Sequence, residues 1–191
     1  MTTTSWKQFT PFFFYTTAAV CAGIAATLSE TRSAGRILLL FLAGVLSWCF
    51  IEYGLHRFIF HYEARSEPVR RILYGVHQVH HDHPQAMDDL FASLRFSVPI
   101  AATYYLILWA LLGSWQATAY VFIGLVAGYF TYEWVHYQAH HGRPRSRLLR
   151  YLRRYHLLHH HRTPDLRFGV TTPFVDYLFG TFRPVRERAA D

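Results

Sequence analysis

Hydrophobic residues along this chain gather into four long blocks, with basic, histidine-rich stretches after the second and the fourth. The blocks fall at about residues 10–28, 37–55, 98–115 and 117–135. Each is close to the roughly 20 apolar residues that carry a helix across a bilayer core. The pattern predicts an all-α integral membrane protein with four transmembrane helices and a cytosolic helical cap made of residues 56–97 and 136–182. All of it is expected to form a single domain over residues 1–191. The first block follows one weak cation and has no persuasive small-residue cleavage site, so it reads as a retained anchor. Gly113-Ser114-Trp115-Gln116 joins the last two blocks and predicts a transmembrane hairpin.

Four spans also predict sidedness. The N-terminus, residues 54–97 and the tail from His136 onward share one face. Of the 19 Lys and Arg, only Arg32 and Arg36 fall on the other. That asymmetry makes the histidine-rich face cytoplasmic, in a bacterial inner membrane or the endoplasmic reticulum. The formal charge of +7 suits nucleic acid or an anionic membrane surface. The apolar blocks favour the membrane, and no nucleic-acid partner is expected. Residues 143–156 read as a basic amphipathic helix with Leu148, Leu152 and Tyr155 on one face. It suits anionic head groups or a solvated connector equally. Cys21 and Cys49 lie inside apolar blocks without a CxxC pattern and read as small buried hydrophobes.

The 13 histidines fall in four short clusters, and the topology places all four on one face. On a helix, positions i, i+3 and i+4 lie within an arc of roughly 100°. His77, His80 and His81 therefore face one way, as do His156, His159 and His160. His136 and His140 form an i, i+4 pair, the spacing by which a helix offers two imidazoles to one metal. His56 and His61 diverge by about 140° on a regular helix, so they can share an ion only if the helix is kinked or bulged. His83, His141 and His161 point away from their clusters. The ten remaining imidazoles are too many for one ion and fit two, with about five each. Glu52 and Glu133 stand one turn before His56 and before His136 and Tyr137. Such carboxylates are candidates to orient ligand imidazoles, because ionisable groups at membrane depth are costly and usually functional. A metal-transport protein is the reading from another class. It should spread its ligands along a path near the bilayer midplane, whereas these gather at one face.

The order HRFIFH, HQVHH, HYQAHH, HLLHH resembles the histidine boxes of the fatty acid hydroxylase/sterol desaturase superfamily. Phe168-Gly169-Val170-Thr171-Thr172, then Asp176, then Phe179-Gly180-Thr181, is similar to the tail of fatty acid 2-hydroxylases. After the second box Pro84 keeps its place, while Asp88, Asp89 and Arg95 are displaced and Pro99 stands alone. The resemblance implies two non-haem iron ions, with zinc as a possible occupant. The implied ligands are His56, His61, His77, His80, His81, His136, His140, His156, His159 and His160, with no further catalytic side chain. Glu52, Glu133, Tyr137, Asp176, His83, His141 and His161 are the candidate supporting residues. The implied reaction is O2-dependent hydroxylation of a lipid, at C2 of a fatty acyl chain, with a sterol, carotenoid or other isoprenoid as the alternative substrate. Electrons are expected from a separate cytochrome b5-like or ferredoxin-type donor.

Overall fold

The structure is a computed structural model that describes residues 9–29 and 33–185, so Arg32 lies outside the described residues. Those residues contain eight α-helices and no strand. They are α1 (Thr10–Ser29), α2 (Ala34–Gly54), α3 (Glu67–Leu73), α4 (Val79–Asp82), α5 (Leu94–Leu112), α6 (Trp115–His140), α7 (Arg147–His161) and α8 (Phe174–Leu178). Wider π-helical turns follow α2 at Leu55–Phe60 and precede α4 at Tyr74–Gln78. Among the described residues, three stretches are long and apolar enough to cross a membrane: Thr10–Ser29, Ala34–Phe60 and Met87–Leu112. The fourth block lies in α6, which has 26 residues but a more mixed composition.

The chain divides into two compact units, residues 1–48 with 86–130 and residues 49–85 with 131–191. In the first, α6 is the buried helix: Ala117, Ala119, Tyr120, Val121, Leu125 and Val126 are all nearly inaccessible. A helix surrounded by protein does not need uniformly apolar residues, which accounts for its composition. α2 meets it backbone to backbone. A Cβ on Gly44 would stand 2.0 Å from the Val121 carbonyl, and one on Gly124 would stand 2.0 Å from the Phe41 carbonyl. Such close approach needs small residues. Aromatic rings pack beside it, with Tyr15 edge-on to Tyr129 at 5.5 Å and Phe12 edge-on to Phe91 at 5.2 Å. By contrast, Leu39, Leu42, Leu46, Leu106 and Leu111 are exposed, as expected of side chains facing lipid. Cys21 is exposed as well, against the sequence expectation, and Cys49 is half-buried. The expected hairpin turn is present: Gly113 closes α5 in the left-handed region at φ +62°, and α6 starts at Trp115.

The second unit is built on α7 and the segment after it. The Ser146 hydroxyl caps α7 by accepting from the Leu149 amide at 3.2 Å. α7 buries Leu152, Tyr155, His156 and His159, an i, i+3, i+4, i+7 stripe. Leu148 was expected on that face but is exposed, because it lies in the first turn, before the packed part of the stripe. Val135, Leu152 and Val170 form one small core, and Tyr53, Phe168 and Val175 form another.

Candidate metal centre

Ten imidazoles converge in the second unit, in two groups of five. His56, His61, His77, His81 and His159 make the first; His80, His136, His140, His156 and His160 make the second. Within each group the potential ligand nitrogens lie within 4.8 Å of one another. These are the ten singled out from the sequence. His83 and His161 are exposed and belong to neither group, nor does the half-buried His141, which stacks on the half-exposed Tyr137 at 5.5 Å.

The local backbone explains the membership. The helix after α2 widens by one residue per turn, and the His61 amide donates to the His56 carbonyl at 3.2 Å, an i to i+5 bond. That bond brings the two rings to 5.1 Å, where a regular helix would turn them apart. The turn before α4 is widened too, with the Val79 amide reaching the Tyr74 carbonyl. Gln78 links the two segments by donating to the Phe60 carbonyl at 2.8 Å.

Each HxxHH segment serves both groups, although its three histidines share one arc as expected. His77 and His81 go to the first group and His80 to the second; His156 and His160 go to the second and His159 to the first. The arrangement is reciprocal: each group takes one whole pair (His56 with His61, or His136 with His140), the i, i+4 members of one HxxHH and the middle histidine of the other. His81 and His160 stack at 4.0 Å, so the groups lie side by side.

The donor geometry fits a metal. Nε2 atoms face one another at 3.0 Å for His77 and His81, 3.1 Å for His61 and His159, 2.9 Å for His80 and His136, and 2.9 Å for His140 and His156. Ligands about 2.1 Å from a common centre stand about 3.0 Å apart when they meet at right angles, and about 3.4 Å apart in a tetrahedron. The spacing is that of donors converging on a common centre, as a metal site requires. His56 Nε2 and both nitrogens of His160 are buried with no hydrogen-bond partner. Burial depresses the imidazole pKa values: His61 and His80 to about 4, His140 and His159 to about 3, and His81 to about 2. His77, His136 and His156 are lowered by burial and then by neighbouring imidazoles. The rings are thus neutral at pH 7, the form that coordinates a metal.

Among the supporting candidates, Glu52 and Asp176 meet the backbone after α7. Glu52 accepts from the Val170 amide at 2.5 Å, the Thr171 amide at 2.9 Å and the Thr171 hydroxyl at 2.5 Å. Asp176, fully buried, accepts from the Phe168 and Gly169 amides at 2.8 Å each and from the Thr181 hydroxyl at 2.7 Å. The link from Glu52 to His56 therefore runs through this segment: the Phe168 carbonyl accepts from His56 Nδ1 at 2.6 Å. The Leu166 carbonyl does the same for His159 Nδ1 at 2.7 Å. Glu133 is fully buried on α6, where the Tyr132 ring lies 5.5 Å from His136. The sequence reading missed the two carbonyls, which no side-chain pattern reveals; Gly169 within FGVTT was the available signal.

A fatty acid hydroxylase family model matches residues 41–181. A dihydroceramide fatty acyl 2-hydroxylase of Arabidopsis thaliana is 36% identical over 175 residues, covering 89% of this chain and 71% of the relative. A ceramide very long chain fatty acid hydroxylase of Saccharomyces cerevisiae is 37% identical over 75% of this chain and 38% of its own length. The fold is also similar to a solved structure of full-length scs7p, of which only the hydroxylase domain is visible. The TM-score is 0.84 at 30% identity, covering 93% of this chain and 67% of that one. The chain belongs to the fatty acid hydroxylase family.

Proposed function

We propose that this protein is a membrane-bound, O2-dependent lipid hydroxylase acting at C2 of a fatty acyl chain, with two iron ions held by the two imidazole groups. The observation that carries the reading is the pair of five-imidazole groups, ten neutral ligands gathered in one unit. His56, His61, His77, His81 and His159 would hold one ion; His80, His136, His140, His156 and His160 would hold the other. Bound iron would supply the activation of O2 needed to attack an unactivated C–H bond. One oxygen atom would enter that bond and the other leave as water, with two electrons from a separate cytochrome b5-like or ferredoxin-type donor and two protons from solvent. The acyl position follows the Arabidopsis thaliana relative, which is named as a dihydroceramide fatty acyl 2-hydroxylase.

The chain's own residues orient the ligands and keep the site dry. Phe60 stacks on His77 at 4.9 Å, and Phe168 sits edge-on to His56, His61 and His159 at 5.5–5.6 Å, so apolar rings line the first group. Arg57, next to His56, donates to the Tyr53 hydroxyl at 2.6 Å and suits a polar or anionic head group. α1, α2, α5 and α6 cross the bilayer in this reading, with the histidine-bearing unit in the cytoplasm of a bacterium or facing the cytosol at the endoplasmic reticulum. The mixed composition of α6 agrees with a span enclosed by its neighbours.

The test is lipid mass spectrometry of an expressing host supplied with iron and a reductase system. Acyl chains should gain one oxygen, located at C2 by fragmentation. Oxygen found only on isoprenoids would replace the acyl assignment. No oxidised lipid from iron-loaded protein would overturn the reading.

A further inference from the structure

The two imidazole groups differ in how their second nitrogens are held. In the first, His56 Nδ1 donates to the Phe168 carbonyl and His159 Nδ1 to the Leu166 carbonyl, at 2.6 and 2.7 Å. These bonds assign the proton to Nδ1 and leave Nε2 with its lone pair aimed into the group. The two carbonyls flank Arg167, whose φ of +64° puts a non-glycine residue in the left-handed region. Such a conformation persists only where its surroundings impose it. Here they do. The Phe168, Gly169, Val170 and Thr171 amides, four in succession, end on the buried carboxylates of Asp176 and Glu52. The Arg167 amide donates to the Thr181 carbonyl at 3.1 Å. Gly169 has no room for a side chain, since a Cβ would stand 2.2 Å from the Thr172 carbonyl oxygen. In the second group, Nδ1 of His80, His136, His140, His156 and His160 has no hydrogen-bond partner among the described residues.

We propose that the 166–171 turn, clamped by Glu52 and Asp176, makes the two groups unequal metal sites: the first binds its ion more tightly and fills before the second. The inference rests on the reading of both groups as metal sites. A ligating imidazole whose other nitrogen is fixed by a protein acceptor keeps its tautomer and aim and is the more basic donor. Losing such a partner weakens metal binding about 10–100-fold. Glu52 and Asp176 are positioning residues in this scheme. Asp176 acts most directly, because the Gly169 amide it accepts from shares a peptide group with the Phe168 carbonyl; the Arg167 amide beside the Leu166 carbonyl is held by the Thr181 carbonyl, and Glu52 fixes the Val170 and Thr171 amides further along the same turn.

The experiment is a zinc titration of metal-stripped, detergent-solubilised full-length protein against a competing chelator, with bound metal counted by mass spectrometry. The unaltered protein should load in two resolved steps. His159→Ala should remove the tighter step and His80→Ala the weaker one. Glu52→Gln should weaken the tighter step, by less than the roughly 10–100-fold that follows loss of a direct acceptor, and leave the other in place. Thr171→Val removes one hydroxyl bond to Glu52 and should shift the same step by less, which keeps a test available if Glu52→Gln does not fold. Two ions bound with equal affinity, or a Glu52→Gln effect shared equally by both steps, would overturn the inequality while sparing the metal reading. Protein that binds no zinc at all would overturn both.

Discussion

At the scale of single residues, the thirteen histidines range from fully buried to exposed. His80 and His159 are almost inaccessible, while His83 and His161, three and two positions along, are exposed. Replacing His80 or His159 by Ala should abolish hydroxylated lipid while the protein still inserts, because each removes one of five donors to a different group. His83→Ala and His161→Ala should keep product within about twofold, as expected of surface substitutions. Product measured per milligram of inserted protein checks both. Helical spacing alone set apart His83, His141 and His161 from eight of the ten histidines that gather in the two groups, because i, i+3, i+4 geometry is a property of one helix. It could not divide the triplets, because which ring of HxxHH meets which group depends on the partner helix, and that information is tertiary. Glu52 was legible as a residue of interest from its charge at the end of an apolar block, and Asp176 from the motif that resembles the 2-hydroxylase tail. Their targets were not, because both spend their oxygens on backbone amides that every sequence has.

Among the elements, the two π-helical turns matter most. HRFIFH places its histidines five apart, which no regular helix can aim at one ion, so a bulge was one of the options the spacing left open. The structure realises it with an i to i+5 bond between the two histidines themselves. Deleting Ile59 should return this turn to ordinary α geometry and swing His61 by roughly 100°. The expected result is loss of product and of metal from the first group, with helix content by circular dichroism unchanged. Retention of full activity would mean that His61 is dispensable. α7 supports a second, energetic prediction. Leu152→Ala empties a buried position and should destabilise by about 2–5 kcal/mol, whereas Leu148→Ala, on the same arc but exposed, should stay within about 0.5 kcal/mol. Denaturation of the purified protein in detergent distinguishes them. The sequence could show that Leu148 and Leu152 share a face, but not how far along the helix the packing extends.

For the whole molecule, α2 and α6 touch through Gly44 and Gly124, each against a backbone carbonyl that cannot step aside. Gly124→Ala should force these helices apart and lower the thermal midpoint, with no change in any side chain of the metal centre. Four apolar blocks identified the helices at the outset. The burial of α6 was not legible, since an apolar run reads alike whether it faces lipid or protein. Protonation is the other property that belongs to the molecule as a whole. Burial holds His61 and His80 near pKa 4 and His140 and His159 near 3, against 6.5 for a free imidazole. The unfolded chain therefore takes up more protons than the folded one as pH falls below about 6.5, and folding stability declines with it. Above that pH both states are neutral at these rings, so stability should be flat; it should fall progressively between about pH 6.5 and 4. Bound metal should move the acid limb lower, because protons must then displace the ion as well as charge the rings. Thermal melts of metal-free and metal-loaded protein across this range check both statements. A metal-free protein equally stable at pH 7 and pH 4 would show that the ten imidazoles are not buried in their neutral form.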